Sequence, residues 1–75
     1  MTKIKLLEHI QDALQRDDKL EFDMKLDMIE EWDSLAIVSI ISLYDSLFNK
    51  IITGNDLREC KTVEDIINLA KEYLQ

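Results

Sequence analysis

The sequence has few of the residues that make sharp turns or cross-links, with one glycine, no proline and one cysteine among its 75 residues. All-β folds need many turn residues, so this shortage favours a mostly helical chain. Cys60 alone cannot close a disulfide within the chain, and residues 1–5 lack the long apolar run of a signal peptide or a membrane span. We therefore expect a soluble, cytoplasmic protein with no stable membrane insertion.

Basic residues are also scarce, because nine Lys and Arg stand against sixteen Asp and Glu and the net charge is −7. Phosphate backbones should repel such a chain, which argues against nucleic-acid binding. The charge is unevenly spread: residues 17–33 hold eight acids and two lysines, a net of −6, whereas residues 1–16 sum to +1 and residues 34–75 to −2. A concentrated negative patch therefore lies directly before Ser34.

The apolar residues predict where the first helix and the loop after it lie. Ile4, Leu7, Ile10 and Leu14 recur at helical spacing and predict a first helix with one apolar stripe. Residues 16–33 alternate apolar and polar side chains as a half-buried strand does, but no second alternating run exists to pair with them. We therefore predict a long ordered loop here, and loops of this length are usually functional.

A second helix is predicted from Ser34 to about Phe48, and its residues fall on two faces when they are placed at 100° intervals. One face is a broad apolar arc made of Ala36, Ile37, Ile40, Ile41, Leu43, Tyr44, Leu47 and Phe48. The opposite face holds Ser39, Ser42, Asp45 and Ser46 together with the aliphatic Leu35 and Val38. These two aliphatic residues are either scattered surface hydrophobics or part of a small docking surface beside Ser34.

Two more helices are predicted in the last third of the chain. Residues 50–54 should form a connection in which the glycine permits a turn, followed by a short helix over residues 55–60 that starts at Asn55 or Asp56. Thr62, with Asp65 three residues later, should cap a last helix that continues to the C-terminus through Val63, Ile66, Ile67, Ala70 and Leu74. The predicted fold is all-α: a small four-helix bundle of three main helices and one short helix, with a long loop between the first and second helices.

Ser34 lies where the acidic loop meets the most apolar helix, and two interpretations of it differ in function. Its hydroxyl can cap the helix by accepting a hydrogen bond from a free backbone N–H. Alternatively, the hydroxyl is a covalent attachment point, since the free donors and the dipole of a helix N-terminus stabilise a phosphate diester.

The residues around and after Ser34 resemble those of the acyl carrier protein family. The shared features are Asp33-Ser34-Leu35 at the head of a helix, Leu47-Phe48 near its end, Ile52 before a short helix and Thr62-Val63 at the start of a last helix. This resemblance covers almost the whole chain and implies a single carrier domain over residues 1–75. It implies that a phosphopantetheinyl transferase using Mg²⁺ attaches 4′-phosphopantetheine from coenzyme A to Ser34, flanked by Asp33 and Leu35. The arm then holds an acyl, D-alanyl or other aminoacyl group as a thioester, and the chain itself is not an enzyme.

The resemblance also implies partners, namely an acyl- or aminoacyl-activating ligase and acyl transferase or synthase enzymes that present basic patches to a monomeric carrier. The expected docking residues are Glu30, Glu31, Trp32, Val38, Ser39, Ser42, Asp45 and Ser46. Carriers of primary fatty acid biosynthesis usually have glycine where Glu31 stands and several glutamates along the helix. Trp32 before Asp33-Ser34-Leu35 resembles the form seen in specialised stand-alone carriers, which indicates a dedicated pathway.

Other functions are less well supported by the sequence. A serine hydrolase needs a base beside its nucleophile, but the only histidine, His9, lies in the first predicted helix and no Gly-x-Ser-x-Gly elbow exists. Cys60 is expected to pack as a small hydrophobe, and the loop acids lack the spacing of a calcium site, so no metal is expected. The remaining alternative is a non-carrier interaction module, an acidic helical protein that docks a partner through Leu35 and Val38.

Overall fold

Every α-helix of the protein begins after a residue whose side chain accepts a hydrogen bond from the first turn, and these four capping residues are Thr2, Asp33, Thr53 and Thr62. The computed structural model describes residues 1–75 and contains four α-helices and no strand. The helices are α1 (Lys3–Ala13), α2 (Ser34–Phe48), α3 (Gly54–Arg58) and α4 (Val63–Asn68), with two 3₁₀ turns at Leu26–Met28 and Lys71–Tyr73. The predicted all-α class is confirmed.

The two short helices depend on reciprocal caps, because helices of five or six residues do not form from propensity alone. Thr53 accepts from the backbone of Asp56 while the Asp56 carboxylate accepts from the backbone of Thr53, and Thr62 pairs with Asp65 in the same way. The predicted start of α3 at Asn55 or Asp56 is therefore wrong, since Thr53 is the cap and Gly54 is already helical.

Gly54 does not make the turn that the sequence predicted for it, because its φ is not positive. The chain reverses instead at Asn49, which ends α2 in the left-handed region at φ 53° and ψ 34°. Asparagine is among the few residues other than glycine that tolerate this conformation at a helix C-terminus.

The core is one cluster of sixteen buried residues, all of them apolar. α1 packs against α2 and α4, and α3 packs against α2. The predicted stripe of α1 is wrong at Ile4, which is 64% exposed, while Leu6 is fully buried. The reason is helical geometry: Leu6 shares a face with Leu7 and Ile10, and Ile4 lies to one side of that face.

The segment between α1 and α2 is the predicted long ordered loop, and part of its extended backbone has a partner. Leu26 N–H donates to the carbonyl of Lys61 (2.9 Å), Val63 N–H donates to the carbonyl of Met24 (3.0 Å), and one isolated antiparallel bridge joins Lys25 to Thr62. The partner is the short link between α3 and α4, which carries no alternating pattern and so gave no sign of pairing in the sequence. These hydrogen bonds hold the loop against the link between α3 and α4, although the two segments form no β-sheet.

The alternating pattern of the loop fails at its end, where the 3₁₀ turn Leu26–Met28 changes the direction of the chain. Leu20 and Leu26 are buried as the pattern requires, but Met28 is 78% exposed and Ile29 is buried in its place. A period of two no longer holds once the chain turns.

α4 is shorter than predicted, because it ends at Asn68 and the chain finishes with the 3₁₀ turn Lys71–Tyr73. The Ile66 carbonyl accepts the hydroxyl of Tyr44 at 2.7 Å, and the last turn tightens so that Leu69 N–H bonds the same carbonyl at 3.2 Å. Ala70 is nevertheless buried, as predicted. No helix has the length and the apolar content needed to cross a membrane.

Candidate functional site

Ser34 is the first residue of α2, and its side chain is exposed. The residue that caps this helix is Asp33, whose backbone is extended and whose Oδ1 accepts a hydrogen bond from Ala36 N–H at 2.9 Å. The interpretation of Ser34 as the cap is therefore wrong, because the carboxylate of Asp33 caps the helix. No residue of the chain forms a side-chain hydrogen bond with Ser34, and its hydroxyl is accessible from solvent.

The backbone at this helix end keeps two donors free. Ala36 N–H is bound by Asp33, but the N–H groups of Ser34 and Leu35 have no acceptor within the chain. Free N–H groups at the positive end of a helix dipole favour a negatively charged group such as a phosphate. The 15-residue length of α2 makes it the longest helix of the protein.

The outward face of α2 combines serines with exposed aliphatic side chains. Leu35 is 76% exposed and Val38 is 59% exposed, whereas Ala36 and Ile40 on the inner face are buried. Ser42, Asp45 and Ser46 are exposed, and Ser39 is half-buried. The face that helical projection marked as polar is thus open to solvent except at Ser39.

The acidic residues Glu30 and Glu31, shortly before Ser34, differ in exposure and in ion pairing. Glu30 is exposed, while Glu31 is half-buried and its Oε1 lies 2.8 Å from Nη1 of Arg16. A backbone hydrogen bond at Glu31, together with the Arg16 guanidinium, lowers the pKa of its carboxyl. Glu31 therefore fastens the loop to the residues after α1, a role that the sequence did not predict because Arg16 is 15 residues away.

Two concave surfaces are lined in part by residues close to Ser34 in the sequence, the first by Asp33 and Leu35 and the second by Trp32. The first, of about 300 Å³, lies between the end of α1 and the start of α2 and is lined by Ala13, Leu14, Gln15, Glu31, Asp33, Leu35, Ala36 and Ser39. The second, of about 640 Å³, lies between the long loop and the link from α3 to α4 and is lined by Lys25, Leu26, Asp27, Trp32, Cys60, Lys61 and Thr62. Sequence reasoning missed the contribution of Ala13, Leu14 and Gln15, since they are about twenty residues from Ser34.

Cys60 and His9 are poorly placed for chemistry. Cys60 is half-buried, and burial raises the pKa of its thiol to about 11, with the charges of Asp65 and Asp56 acting in the same direction. A thiol that stays protonated is a weak nucleophile. His9 is half-buried in α1, and no group of three or more His, Cys, Asp or Glu side chains is arranged to hold a metal ion.

Comparison with known proteins adds no relative to this picture. No protein-family model matches the sequence, and the searches found no similar curated protein and no similar solved structure. What the chain does must therefore be inferred from an exposed serine at a helix start, an acidic lead-in and the two concave surfaces beside them.

Proposed function

We propose that this protein carries an acyl or aminoacyl group as a thioester on a 4′-phosphopantetheine arm attached to Oγ of Ser34. The observation that supports it best is the state of this hydroxyl, which is exposed at the first position of α2 and spared from capping by Asp33. A transferase must reach the hydroxyl and remove its proton, so that Oγ forms a bond to the pantetheine-side phosphorus of coenzyme A while the pyrophosphate bond breaks and adenosine 3′,5′-bisphosphate leaves, and this requires such access. The arm, once attached, supplies the terminal thiol that holds the carried group.

The residues at this helix end fit a phosphate diester. The free N–H groups of Ser34 and Leu35 and the dipole of α2 stabilise negative charge next to Oγ. Asp33 accepts from Ala36 N–H through Oδ1, so its carboxylate is held at the N-terminus of α2 and leaves the Ser34 hydroxyl out of the cap.

We also propose that the four helices form the four-helix bundle of an acyl carrier protein. The contacts of α1 with α2 and α4, the packing of α3 on α2 and the long loop between α1 and α2 support this arrangement. In such a fold the short α3 covers the side of α2 and leaves its outward face free for partners.

The partners of such a carrier are the transferase, an activating ligase, and the acyl transferase or synthase enzymes that use the cargo. Ser34 has no hydrogen-bonded base in this chain, so the reactions of the cargo belong to those enzymes. A tethered cargo reacts at high effective concentration during a brief encounter, and a net charge of −6 over residues 17–33 steers basic partners to the junction.

The test is covalent loading followed by intact-mass measurement. The purified protein, incubated with coenzyme A, Mg²⁺ and a broad-specificity phosphopantetheinyl transferase, should gain one phosphopantetheinyl group. Ser34→Ala should gain none, whereas Asn68→Ala, a polar-to-alanine change at an exposed position at the end of α4, should be loaded like the wild type. A wild-type chain that stays unmodified, under conditions that load a control carrier, would contradict the proposal.

A second candidate function is favoured by the exposure of Leu35 and Val38, which suits a protein that only docks a partner. In that case α2 would bind without any modification, and Ser34→Ala would bind as well as the wild type. The same mass measurement separates the two functions, because only the carrier requires the added group.

A further inference from the structure

The larger concave surface of the protein, lined by residues 25–27, Trp32 and residues 60–62, is named the loop–link pocket because the long loop and the link from α3 to α4 form its walls. Its volume of about 640 Å³ falls within the range of sites that bind small molecules. Leu26 is buried in it, and Trp32 and Cys60 are half-buried. The pocket therefore has both the room and the apolar surface to hold a small organic group.

Hydrogen bonds between the two walls fix the shape of this pocket. Leu26 N–H donates to the carbonyl of Lys61 at 2.9 Å, and an antiparallel bridge joins Lys25 to Thr62. Within the loop, Met28 N–H donates to the carbonyl of Lys25 at 3.0 Å. The two lysines, which are far apart in the sequence, are thereby held on one small cavity.

The loop–link pocket has positive charge to spare in a chain whose net charge is −7. Lys25 and Lys61 are exposed and form no ion pair, because the ion pairs of the chain use Arg16 and Lys50. Asp27 also lines the pocket without an ion pair, so two lysines face one carboxylate there. Asp65, close to Lys61, is occupied by the N–H groups of Lys61 and Thr62 at 2.9 and 3.1 Å. An anionic group that enters the pocket would therefore find two unpaired cations.

A group attached to Ser34 can reach this pocket. Trp32, which lines it, is two residues before Ser34, so their Cα atoms are at most about 7 Å apart. The phosphopantetheine arm is longer than this span and flexible. The end of the arm can therefore fold back into the pocket from the attachment oxygen.

We propose that the loop–link pocket receives the carried group and favours an acyl group that ends in a second carboxylate, that is, a dicarboxylic acid joined to the arm through one of its two carboxyls. This inference rests on the proposed function and names the class of its cargo. The methylene chain of the cargo packs against Leu26 and Trp32, and its free carboxylate lies between the ammonium groups of Lys25 and Lys61.

The experiment compares two cargoes that differ in charge. The transferase loads the wild type either with the monoadipyl thioester of coenzyme A or with the methyl ester of that thioester, and intact mass confirms each product. Trp32 is the only tryptophan of the chain, so its fluorescence reports on this pocket. The adipyl form should lower acrylamide quenching of Trp32 on the order of twofold relative to the methyl ester, since an exposed ion pair shifts an equilibrium by a factor of up to about five.

Charge variants test the two lysines and the opposing acid. Lys25→Gln and Lys61→Gln should each reduce the difference between the two cargoes, and the double variant should abolish it. Asp27→Asn should widen the difference, because it removes the one repelling carboxylate of the pocket. The control is Lys3→Gln, which changes an exposed, unpaired lysine of α1 outside the pocket and should keep the wild-type difference. Salt at 1 M, where the Debye length is about 3 Å, should also reduce the difference.

The outcomes distinguish this inference from the function on which it rests. If the wild type is loaded and Trp32 is quenched equally with both cargoes, the pocket does not select a carboxylate and the carrier function stands. A difference that survives in the double lysine variant would likewise overturn the assignment of Lys25 and Lys61. If coenzyme A itself never loads the wild type, the proposed function fails and the cargo preference fails with it.

Discussion

The two ends of α2 are built in opposite ways. At the serine end, Leu35 and Val38 are 76% and 59% exposed beside the acidic loop. At the tyrosine end, Tyr44 is fully buried, its hydroxyl donates to the Ile66 carbonyl at 2.7 Å, and Phe48 packs between the rings of Tyr44 and Tyr73. One helix therefore has an end that leaves apolar surface open and an end that belongs to the core.

The difference follows from the outward-facing residues of the helix. At the tyrosine end these residues are Ser42, Asp45 and Ser46, so this half has one apolar face, whereas at the serine end the outward face also carries the aliphatic Leu35 and Val38. The fold buries only the inner face of either half. The fold leaves the apolar side chains of Leu35 and Val38 unburied, and we propose them as part of a docking surface.

The largest effect that would test this comparison comes from truncating one side chain at each end. Tyr44→Ala should lower the free energy of unfolding by about 3–5 kcal/mol, because it removes a buried ring and leaves a cavity. Leu35→Ala should change the same quantity by less than about 0.5 kcal/mol, since its side chain already faces solvent. Urea unfolding followed by circular dichroism measures both.

In the assay of phosphopantetheine loading, Leu35→Ala should show the larger defect, although Tyr44→Ala loses more stability. Folded Tyr44→Ala keeps Ser34 and its surroundings and should be loaded, while Leu35→Ala should load with a raised KM. A Leu35→Ala variant that is as destabilised as Tyr44→Ala would show that the serine end is part of the core and would remove the basis of the comparison.

A smaller effect is expected from changing the helix-capping residues Asp33 and Thr62. Asp33 can also be replaced by asparagine, which has the same shape but no charge. Asp33→Ala and Thr62→Ala should each cost about 1 kcal/mol of stability, because each leaves helix donors unsatisfied. Asp33→Asn should cost much less, since asparagine caps as well as aspartate, but it removes the charge beside Ser34. We therefore expect Asp33→Asn to be stable and slow to load, whereas Thr62→Ala is less stable and loads normally.

Equal loading rates for Asp33→Asn and the wild type would show that Asp33 acts only as a cap. A destabilised Asp33→Asn would show instead that its charge supports the helix. Thermal unfolding and the rate of mass gain, measured on the same preparations, distinguish these two outcomes.

The sequence predicted the features that depend on neighbouring residues. Local spacing and capping residues predicted that α2 starts at Ser34 and that the last helix starts at Val63. They also predicted the two faces of α2, and the structure confirms these features. The sequence prediction failed at the end of the chain, where α4 stops at Asn68 and the Ile66 carbonyl accepts both from Leu69 N–H and from the hydroxyl of the distant Tyr44.

The same distinction explains what was missed at the candidate site. Ser34 was found because its neighbours Asp33 and Leu35 lie in an informative pattern, although the capping role belongs to Asp33. The concave surface between the end of α1 and the start of α2 was not predicted, because it forms only where these two helices meet and where Arg16 reaches Glu31 across 15 residues. A contact between residues so far apart leaves no periodic pattern in the sequence by which it could be predicted.

The smallest predicted effect concerns pH and compares one ion pair from each end of the molecule. Arg16 and Glu31 join α1 to the serine end, with side chains 13% and 33% exposed, while Lys50 and Glu72 join the tyrosine end to the C-terminal turn, with side chains 27% and 49% exposed. The pKa of Glu31 is lowered by a backbone hydrogen bond and by Arg16, and the pKa of Glu72 is lowered chiefly by Lys50. Both pairs therefore stabilise the fold above the ordinary carboxyl pKa of 4.5, and this stabilisation is lost as the pH falls through the lower folded values.

Arg16→Met and Lys50→Met should each reduce the difference in unfolding free energy between pH 7 and pH 3, because they remove the partner that lowers the carboxyl pKa. The reduction should be larger for Lys50→Met, since Lys50 is the chief cause of the lowered pKa of Glu72, whereas a backbone hydrogen bond still lowers the pKa of Glu31 when Arg16 is replaced. Urea unfolding at both pH values and low ionic strength measures it. A larger reduction for Arg16→Met would mean that Arg16, and not the backbone hydrogen bond, is the main cause of the lowered pKa of Glu31.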